Sequence, residues 1–403
     1  MKTVAIIAEY NPFHNGHQYQ INKIRENFGS DTAIIAIMSG NFTERGEPAF
    51  MDKWERARAA CECGVNLVLE LPFPYSMSSA EFFGRAGVHI INSLGCVDAI
   101  SFGSECGDID LLISTAKNMQ TEEYKSELSR FLNDKKNDSL GYAKICEKVY
   151  QSVYGISPPA SSSNNILALE YIKAALEFNF DVNFHTVKRI GAEYNSTSVD
   201  QTPFQSASAI RCEATQSLDS LKEFMPSASY EILKEQFITN NAPVSEEKIS
   251  LSILSSLRLN SPDTECKIHD TEGGLYNRLV RLSHEADSLS ALKKLASTKK
   301  YTDARIRRAI WFSYLGVTSS DVRTLPEYTQ ILAMDKVGQA ILKKVRKTSR
   351  ISVITRPSTT PGSDLGAMQK ARSDRADSIF LLAMPSPMPS SSIYKKSPFV
   401  KVD

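Results

Sequence analysis

The chain has 403 residues, enough for one to three domains and a substantial core. Hydrophobic residues make up 42% and charged residues 23%, which excludes a largely disordered chain. The formal net charge of +1 supplies no global attraction to nucleic acid, so any such partner must be sought in local charge.

Val4–Ala8 is a short apolar run of strand length, too brief for the core of a signal peptide. Glu9–His17 follows as a loop. Gln18–Phe28 places Ile21, Ile24 and Phe28 on one helical face, and Ala33–Met38 reads as a second strand. A helix over Trp54–Cys63 after the polar Asp52, a strand at Val65–Leu71, a helix over Ala80–Leu94 and a strand at Val97–Phe102 continue the alternation. Leu111–Val153 is polar and helical in pattern, an insertion spanning about residues 108–155. Ser157–Ser163 is a Pro/Ser loop, Asn164–Phe178 a helix capped by an asparagine, and Val182–Val187 another strand.

This alternation predicts an α/β fold, a doubly wound parallel sheet with its ligand crevice at the carboxyl ends of the strands. Strand signals stop after Thr239–Pro243, so a boundary is expected near residue 240. Residues 1–240 then form the catalytic domain and 241–403 a mainly helical, basic region ending in a mobile Pro/Ser tail at Met384–Ser392. The seven cysteines are odd in number and scattered without a Cys-x-x-Cys pair, which argues against a disulfide framework or zinc ribbon. Cys61 and Cys63 read as small residues of a helix. No run approaches a membrane span, and a cytoplasmic protein is expected.

Chemistry concentrates in the first loop. Gly16 lets the backbone approach a ligand, and the helix that begins near His17 offers unpaired N–H groups to an anion. Two imidazoles three residues apart, His14 and His17, can donate to charge building on an α-phosphoryl group and a departing pyrophosphate. Standing alone, a His-x-x-His pair reads equally as a turn or as metal ligands; the strand before it, the glycine within it and the helix after it are what a phosphate site requires.

His14-Asn15-Gly16-His17 resembles the signature of the adenylyl- and cytidylyltransferase superfamily, and Gln205–Arg211 resembles its second signature, a Ser-rich turn into a helix. Glu9–His17, Ser39–Phe42 with Arg45–Pro48, Ser101–Glu105, Asn164–Leu167 and Lys188–Gly191 together resemble the bacterial tRNA(Met) cytidine acetate ligases. Ser163 stands where that family usually has proline. The resemblance implies a Rossmann-like nucleotidyltransferase domain that activates acetate with ATP and then acetylates N4 of the wobble cytidine of elongator tRNA(Met). His14 and His17 would be catalytic. ATP would be held by Ile7, Ala8, Glu9, Tyr10, Asn11, Pro12, Phe13, His14, Asn15, Gly16, His17 and Gln18, with Gly103, Asn164 or Asn165, Arg189, Ser206, Ser208 and Arg211. Gly40–Phe42 and Arg45 would border the small carboxylate. Mg²⁺ is expected with the triphosphate, although no dedicated carboxylate cage is visible.

Residues 285–356 carry 15 Lys and Arg against 6 Asp and Glu, whereas residues 1–100 carry 8 against 11. Within this segment Lys299, Lys300, Arg305 and Arg308 are expected at the surface as RNA contacts, with Trp311 in the core. Lys343, Lys344, Arg346, Lys347 and Arg350 form a second cluster of less certain role. Two other readings compete: a nucleotidyltransferase joining ATP to a small phosphorylated metabolite, and a non-enzymatic RNA-binding protein. The +9 segment disfavours the first and the intact histidine pair the second.

Overall fold

The structure, a computed structural model, describes residues 1–137, 140–160, 162–189, 204–261 and 267–402. Ser161 of the Pro/Ser loop, Ile190 and Gly191 of the Lys188–Gly191 motif, and one of the seven cysteines, Cys266, lie outside the described residues.

The chain opens with β1 (Thr3–Ala8), α1 (Asn15–Phe28) and β2 (Ala33–Ser39), then a small hairpin of β3 (Phe42–Thr43) and β4 (Glu47–Pro48). α2 (Lys53–Glu62), β5 (Leu67–Leu71), α3 (Ala80–Leu94) and β6 (Ala99–Ser104) follow. The helical insertion consists of α4 (Ile109–Asn118), α5 (Glu122–Asn133) and α6 (Tyr142–Tyr154), and the chain then returns through α7 (Ser163–Glu177) to β7 (Asn183–Lys188). α8 (Ala207–Ala214) and α9 (Ser227–Ile238) complete the expected first domain.

β5, β2, β1, β6 and β7 lie side by side and parallel. Strands of such a sheet are covered on both faces, and β1 shows how one sequence serves both. Ala5 and Ile7 pack with Val88 of α3 and Leu169 of α7, while Val4 and Ile6 pack with Ile21 and Ile24 of α1 and Ala57 of α2. The chain winds outward from β1 to β5, then crosses to β6, so the order reverses beside β1 and leaves a crevice at the carboxyl ends there.

Beyond residue 240, α10 (Ser250–Arg258), α11 (Leu275–Ser283), α12 (Leu289–Ala296), α13 (Asp303–Leu315) and α14 (Ser319–Arg323) form a helical layer whose core also takes in Phe42, Phe73 and Met77 from the first part of the chain. Trp311 is fully buried in it and donates its indole N–H to Glu246 at 3.1 Å. The boundary near 240 nevertheless does not end the sheet. β8 (Tyr328–Met334) joins β5 antiparallel, α15 (Lys336–Thr348) packs beneath the same sheet, and β9 (Ser352–Ile354) pairs with β8. Thr329 and Gln330 obscure β8 as a strand in the sequence, yet both are buried, and the Thr329 hydroxyl donates to the Glu70 carbonyl at 2.7 Å.

α16 (Asp364–Ala383) and β10 (Phe399–Val400) end the chain. The Pro/Ser tail expected to be mobile is tied down instead: Asn240 donates to Ser386 at 2.7 Å, Lys248 bonds the Pro385 carbonyl, and β10 pairs with β8. The α7 helix also differs from expectation, because Ser162 rather than Asn164 occupies its cap position.

Lys53, the first residue of α2, is buried with its ammonium 2.7 Å from both Glu70 on β5 and Asp377 on α16. Asn41 completes the cluster, donating to Asp377 at 2.9 Å and accepting the Lys53 N–H at 2.8 Å. Burial alone would lower the Lys53 pKa, but the two carboxylates outweigh it and hold the ammonium protonated. Replacing Asp377 by Ala strips one partner from a buried ion cluster and should cost about 3–5 kcal/mol of unfolding free energy. Arg58→Ala, which removes a partly exposed cation paired with Glu55 and Glu235, should cost about 1 kcal/mol or less. Denaturant unfolding of both variants reads the difference, and equal losses would remove the structural role given to the cluster.

Candidate active site

β1 leads into the Glu9–His17 loop, and Tyr10 turns the chain. Its φ of 48° is a left-handed value that residues with a Cβ rarely adopt. Packing holds it there: the buried Tyr10 ring lies 4.9 Å from both Phe13 and His17. α1 then begins at Asn15, two residues earlier than the sequence suggests, because His14 is its cap.

His14 Nδ1 accepts the Gly16 N–H at 3.0 Å, and His17 Nδ1 accepts the His14 N–H at 3.2 Å. The pair thus forms a capping box, with imidazoles in the places usually taken by Ser or Thr and Glu. Both Nδ1 lone pairs are occupied, so each neutral ring carries its proton on Nε2. Burial, helped by Arg189 and Arg211, pushes His14 down to about 3. Burial, with His14 and Arg189, also pushes His17 well below the ordinary range. The result is two neutral Nε2–H donors on rings stacked 3.8 Å apart. Gly16 is needed beside them, since a Cβ there would sit 2.8 Å from His14 Cε1.

Both rings line an open cleft with a cavity volume of about 170 Å³ at the carboxyl ends of β1 and β6. Ile7, Ala8, Glu9, Tyr10, Asn11 and Gly16 reach it from the first loop, and Gly103, Asn164, Arg189, Ser208 and Arg211 from elsewhere. Five residues expected to hold ATP do not line it, Pro12 among them, and neither do Gly40, Asn41 and Phe42, expected beside the carboxylate: Asn41 bonds the buried Asp377 and Phe42 packs in a hydrophobic core. Phe13 lies in the core under α9, where Ser229 donates to its carbonyl at 2.8 Å. Asn15 donates to the Glu223 carbonyl at 2.8 Å and Gln18 to Asn22 at 3.3 Å, because the helical turn carries them round to the outside. Ser206 is buried as the cap of α8, its hydroxyl accepting the Ala209 N–H at 3.0 Å.

The structure separates Asn164 from Asn165. Asn165 is buried and its side-chain oxygen accepts the backbone N–H groups of Glu105 at 2.9 Å and Cys106 at 3.3 Å. Asn164 faces the cleft, donates to Glu105 at 2.6 Å and accepts from Arg189 at 3.3 Å. Burial would raise the Glu105 pKa, but hydrogen bonds from Asn164, Ser162 and the Asn165 backbone outweigh it and hold the carboxyl below its usual value. Gly103 sits beneath Arg189, whose side-chain carbons would touch a Cβ there at ordinary contact distance. Arg211 donates to the Asn11 carbonyl at 3.0 Å and to Glu47 at 3.0 Å, and Arg45 donates to Ser208 at 3.0 Å.

Sequence reasoning missed the apolar and aromatic wall of the cleft. Tyr19 and Gln20 lie three residues beyond Gly16 and His17 on α1 and were within reach of periodicity. Phe83, Leu167, Tyr171 and Phe204 come from distant elements, and nothing local marks them.

The basic segment is less exposed than its charge suggests. Lys299 and Lys300 lie at the surface, Lys300 reaching the Gly273 carbonyl at 3.3 Å. Arg305 is partly buried and bonded to the Asp270 and Glu272 carbonyls. Arg308, expected at the surface, is only 6% exposed and pairs with Asp270 at 2.5 Å while donating to the Glu44 carbonyl at 3.3 Å. α13 turns it inward because the hairpin of β3 and β4 packs against that face, with Gly46 directly on the Arg307–Arg308 backbone. Lys343, Lys344, Arg346 and Lys347 are exposed on α15, whose end bonds Leu94 near the start of β6. They therefore lie toward the end of the sheet opposite the cleft.

A family model described as HIGH Nucleotidyl Transferase matches residues 1–392. A tRNA(Met) cytidine acetate ligase of Caldicellulosiruptor bescii is 38% identical over 366 residues, covering 88% of this chain and 87% of that protein. The enzyme of that name from Halothermothrix orenii is 34% identical over 369 residues, covering 88% and 87%. The chain belongs to this family. Among solved structures, Thermotoga maritima TmcAL bound with alpha-thio ATP aligns with a TM-score of 0.89 at 30% identity, covering 99% of both chains. Its apo form aligns with a TM-score of 0.91.

Two neutral Nε2–H donors facing the cleft can stabilise negative charge that develops on a phosphoryl group. His14→Asn preserves a cap acceptor, but its shorter amide no longer places a donor where Nε2–H stood, and His17→Ala removes the second donor. Each should slow pyrophosphate release from ATP by about a hundredfold or more with an unchanged circular dichroism spectrum. Near-normal rates in both variants would exclude the donors from the chemistry.

Proposed function

We propose that the chain joins acetate to ATP, giving acetyl-adenylate and pyrophosphate, and then transfers the acetyl group to N4 of the wobble cytidine of elongator tRNA(Met). The observation that carries the reading is the pair of neutral, backbone-locked Nε2–H donors at the mouth of β1, facing a cleft that also receives Arg45, Arg189 and Arg211. Likeness over nearly the whole chain to enzymes named tRNA(Met) cytidine acetate ligase supports the substrate assignment.

In this reading the donors stabilise negative charge on the α-phosphoryl group while Arg211 and Ser208 hold the outer phosphates. Asn164 and Arg189, joined by a hydrogen bond beside Gly103, border the nucleoside end. The carboxylate oxygen of acetate attacks the α-phosphorus in line, with no covalent enzyme intermediate. The cytidine amine is a poor nucleophile, so activation and close positioning supply the rate. Among the described residues no group of three or more His, Cys, Asp or Glu is arranged to hold a metal, so Mg²⁺ would enter on the triphosphate itself. Also among the described residues, no helix is long and apolar enough to cross a membrane.

The test is incubation with ATP, isotopic acetate and bulk tRNA, with mass analysis of the nucleosides and of the adenine nucleotides. Labelled N4-acetylcytidine together with AMP and pyrophosphate is the expected result. ADP as the product, or label on no nucleoside, would remove the reading; adenylation of a phosphorylated metabolite instead would favour a cofactor-synthesis enzyme.

RNA contact is proposed for Lys299 and Lys300, which are exposed, with Arg305 beside them. Lys299→Ala with Lys300→Ala should weaken tRNA binding and reduce the slope of log affinity against log salt by about one or more. Acetyl-adenylate formation without tRNA should persist in this variant. A salt series on both proteins reads the slope, and an unchanged slope would mean that RNA is held elsewhere.

A further inference from the structure

Transfer of acetyl to an amine requires that a proton leave the nitrogen for an acceptor within the cleft. The two histidines at the site are poorly suited to receive it. Their Nδ1 atoms already accept the Gly16 and His14 N–H groups, and their Nε2 atoms carry protons. Arg45, Lys188, Arg189 and Arg211, the basic residues lining the cleft, are cations with no free lone pair. Among the described residues lining it, the carboxylates are Glu9 and Glu44.

Glu9 is the better placed of the two. It directly follows β1, one residue before the turn that aims His14 and His17, and its backbone is fixed because the buried Arg56 donates to its carbonyl at 2.5 Å. One carboxylate oxygen accepts the Glu44 N–H at 2.8 Å. Glu44 is drawn the other way, toward Arg308, whose guanidinium lies 3.9 Å from its carboxylate.

We propose that Glu9 is the general base of the acetyl-transfer step, an assignment that rests on the ligase reading above. The N4 lone pair of cytidine attacks the acetyl carbonyl and the N–C bond forms. The proton on that nitrogen passes to a carboxylate oxygen of Glu9. The C–O bond to the phosphate breaks, and AMP leaves with its electron pair. No oxidant, reductant or further reactant is needed.

The surroundings suit this work. Burial pushes the Glu9 carboxyl up, against the pull of the Glu44 N–H, Arg45 and Arg211, with Glu47 adding to the rise. Burial likewise raises Glu44, and Glu9 adds to that rise as Arg308 opposes it. Arg56 also faces this group through the Glu9 carbonyl. A raised carboxyl is a stronger base once ionised, and so better matched to a proton leaving nitrogen near neutral pH.

The experiment is a single-turnover measurement on the full chain with ATP, isotopic acetate and tRNA. The acetyl-transfer rate is divided by the amount of acetyl-adenylate present and followed across pH. In the wild-type protein the rate should fall on the acid side as Glu9 becomes protonated. Glu9→Gln, which keeps an acceptor for the Glu44 N–H, should lower the normalised rate by about a hundredfold and abolish the acid limb. Glu44→Gln removes the neighbouring negative charge and should move the wild-type acid limb to lower pH, which tests the assignment even where Glu9→Gln does not fold. An unchanged normalised rate with the same acid limb in Glu9→Gln overturns the assignment, as does an unmoved limb in Glu44→Gln; the departing AMP phosphate would then be the proton acceptor. Absence of acetyl-adenylate in the wild-type protein would overturn the ligase reading itself and this assignment with it.

Discussion

The structure depends on two buried cations that α2 carries into the sheet. Lys53 holds Glu70 and Asp377 together, so the fifth strand and the last long helix close on one ammonium. One turn later Arg56, fully buried, donates to the carbonyls of Glu9, Ser39, Gly40 and Met51. Those carbonyls lie where β1 and β2 end, and strand ends leave backbone acceptors that must find partners when water is excluded. A single guanidinium meets four of them, which fixes the loops that border the cleft. Burial lowers Arg56 only to about 10, so it remains charged at neutral pH.

The histidine pair shows how backbone geometry sets chemistry. A helix start leaves N–H groups without acceptors, and a short acceptor side chain usually supplies one. Here two imidazoles do so, and the same hydrogen bonds that cap α1 determine which ring nitrogen keeps its proton. Structural and chemical roles therefore lie on opposite edges of each ring. The low pKa values follow from the same packing, since a desolvated imidazole beside Arg189 and Arg211 gains nothing by becoming a cation.

The hairpin of β3 and β4 meets two regions that lie 164 and 260 residues further along the chain. Glu47 accepts from Arg211 of the Ser-rich motif at 3.0 Å and from Arg307 of α13 at 3.1 Å, while Gly46 receives the α13 backbone. Two of the three arginines of α13, Arg307 and Arg308, are thus engaged within the protein, on Glu47 of the hairpin and on Asp270. The helical region does more than offer charge to RNA: it braces the hairpin that carries Glu44, Arg45 and Glu47.

Much of the molecule was legible in the chain itself. The parallel strands were recognisable because a strand buried on both faces needs a continuous apolar run, and the loop between the first strand and helix because His, Asn, Gly and His in that setting have few other uses. The inward position of Trp311 was likewise readable from its type and spacing. What tertiary structure alone decided are the partners of polar groups. Nothing in Tyr328–Met334 announces a strand, since Thr329 and Gln330 become buried only when β5 offers an open edge. Nor does the sequence distinguish the buried Arg308 from the exposed Lys299, or Asn165 from Asn164, because each pair is alike in charge or polarity and differs only in what folds against it. The anchored tail has the same cause: its hydrogen bonds run to Asn240, Lys248 and β8, acceptors and donors that come near only after the sheet has closed. Periodicity and local motifs are properties of the chain, whereas burial of a charge or an amide depends on what folds against it.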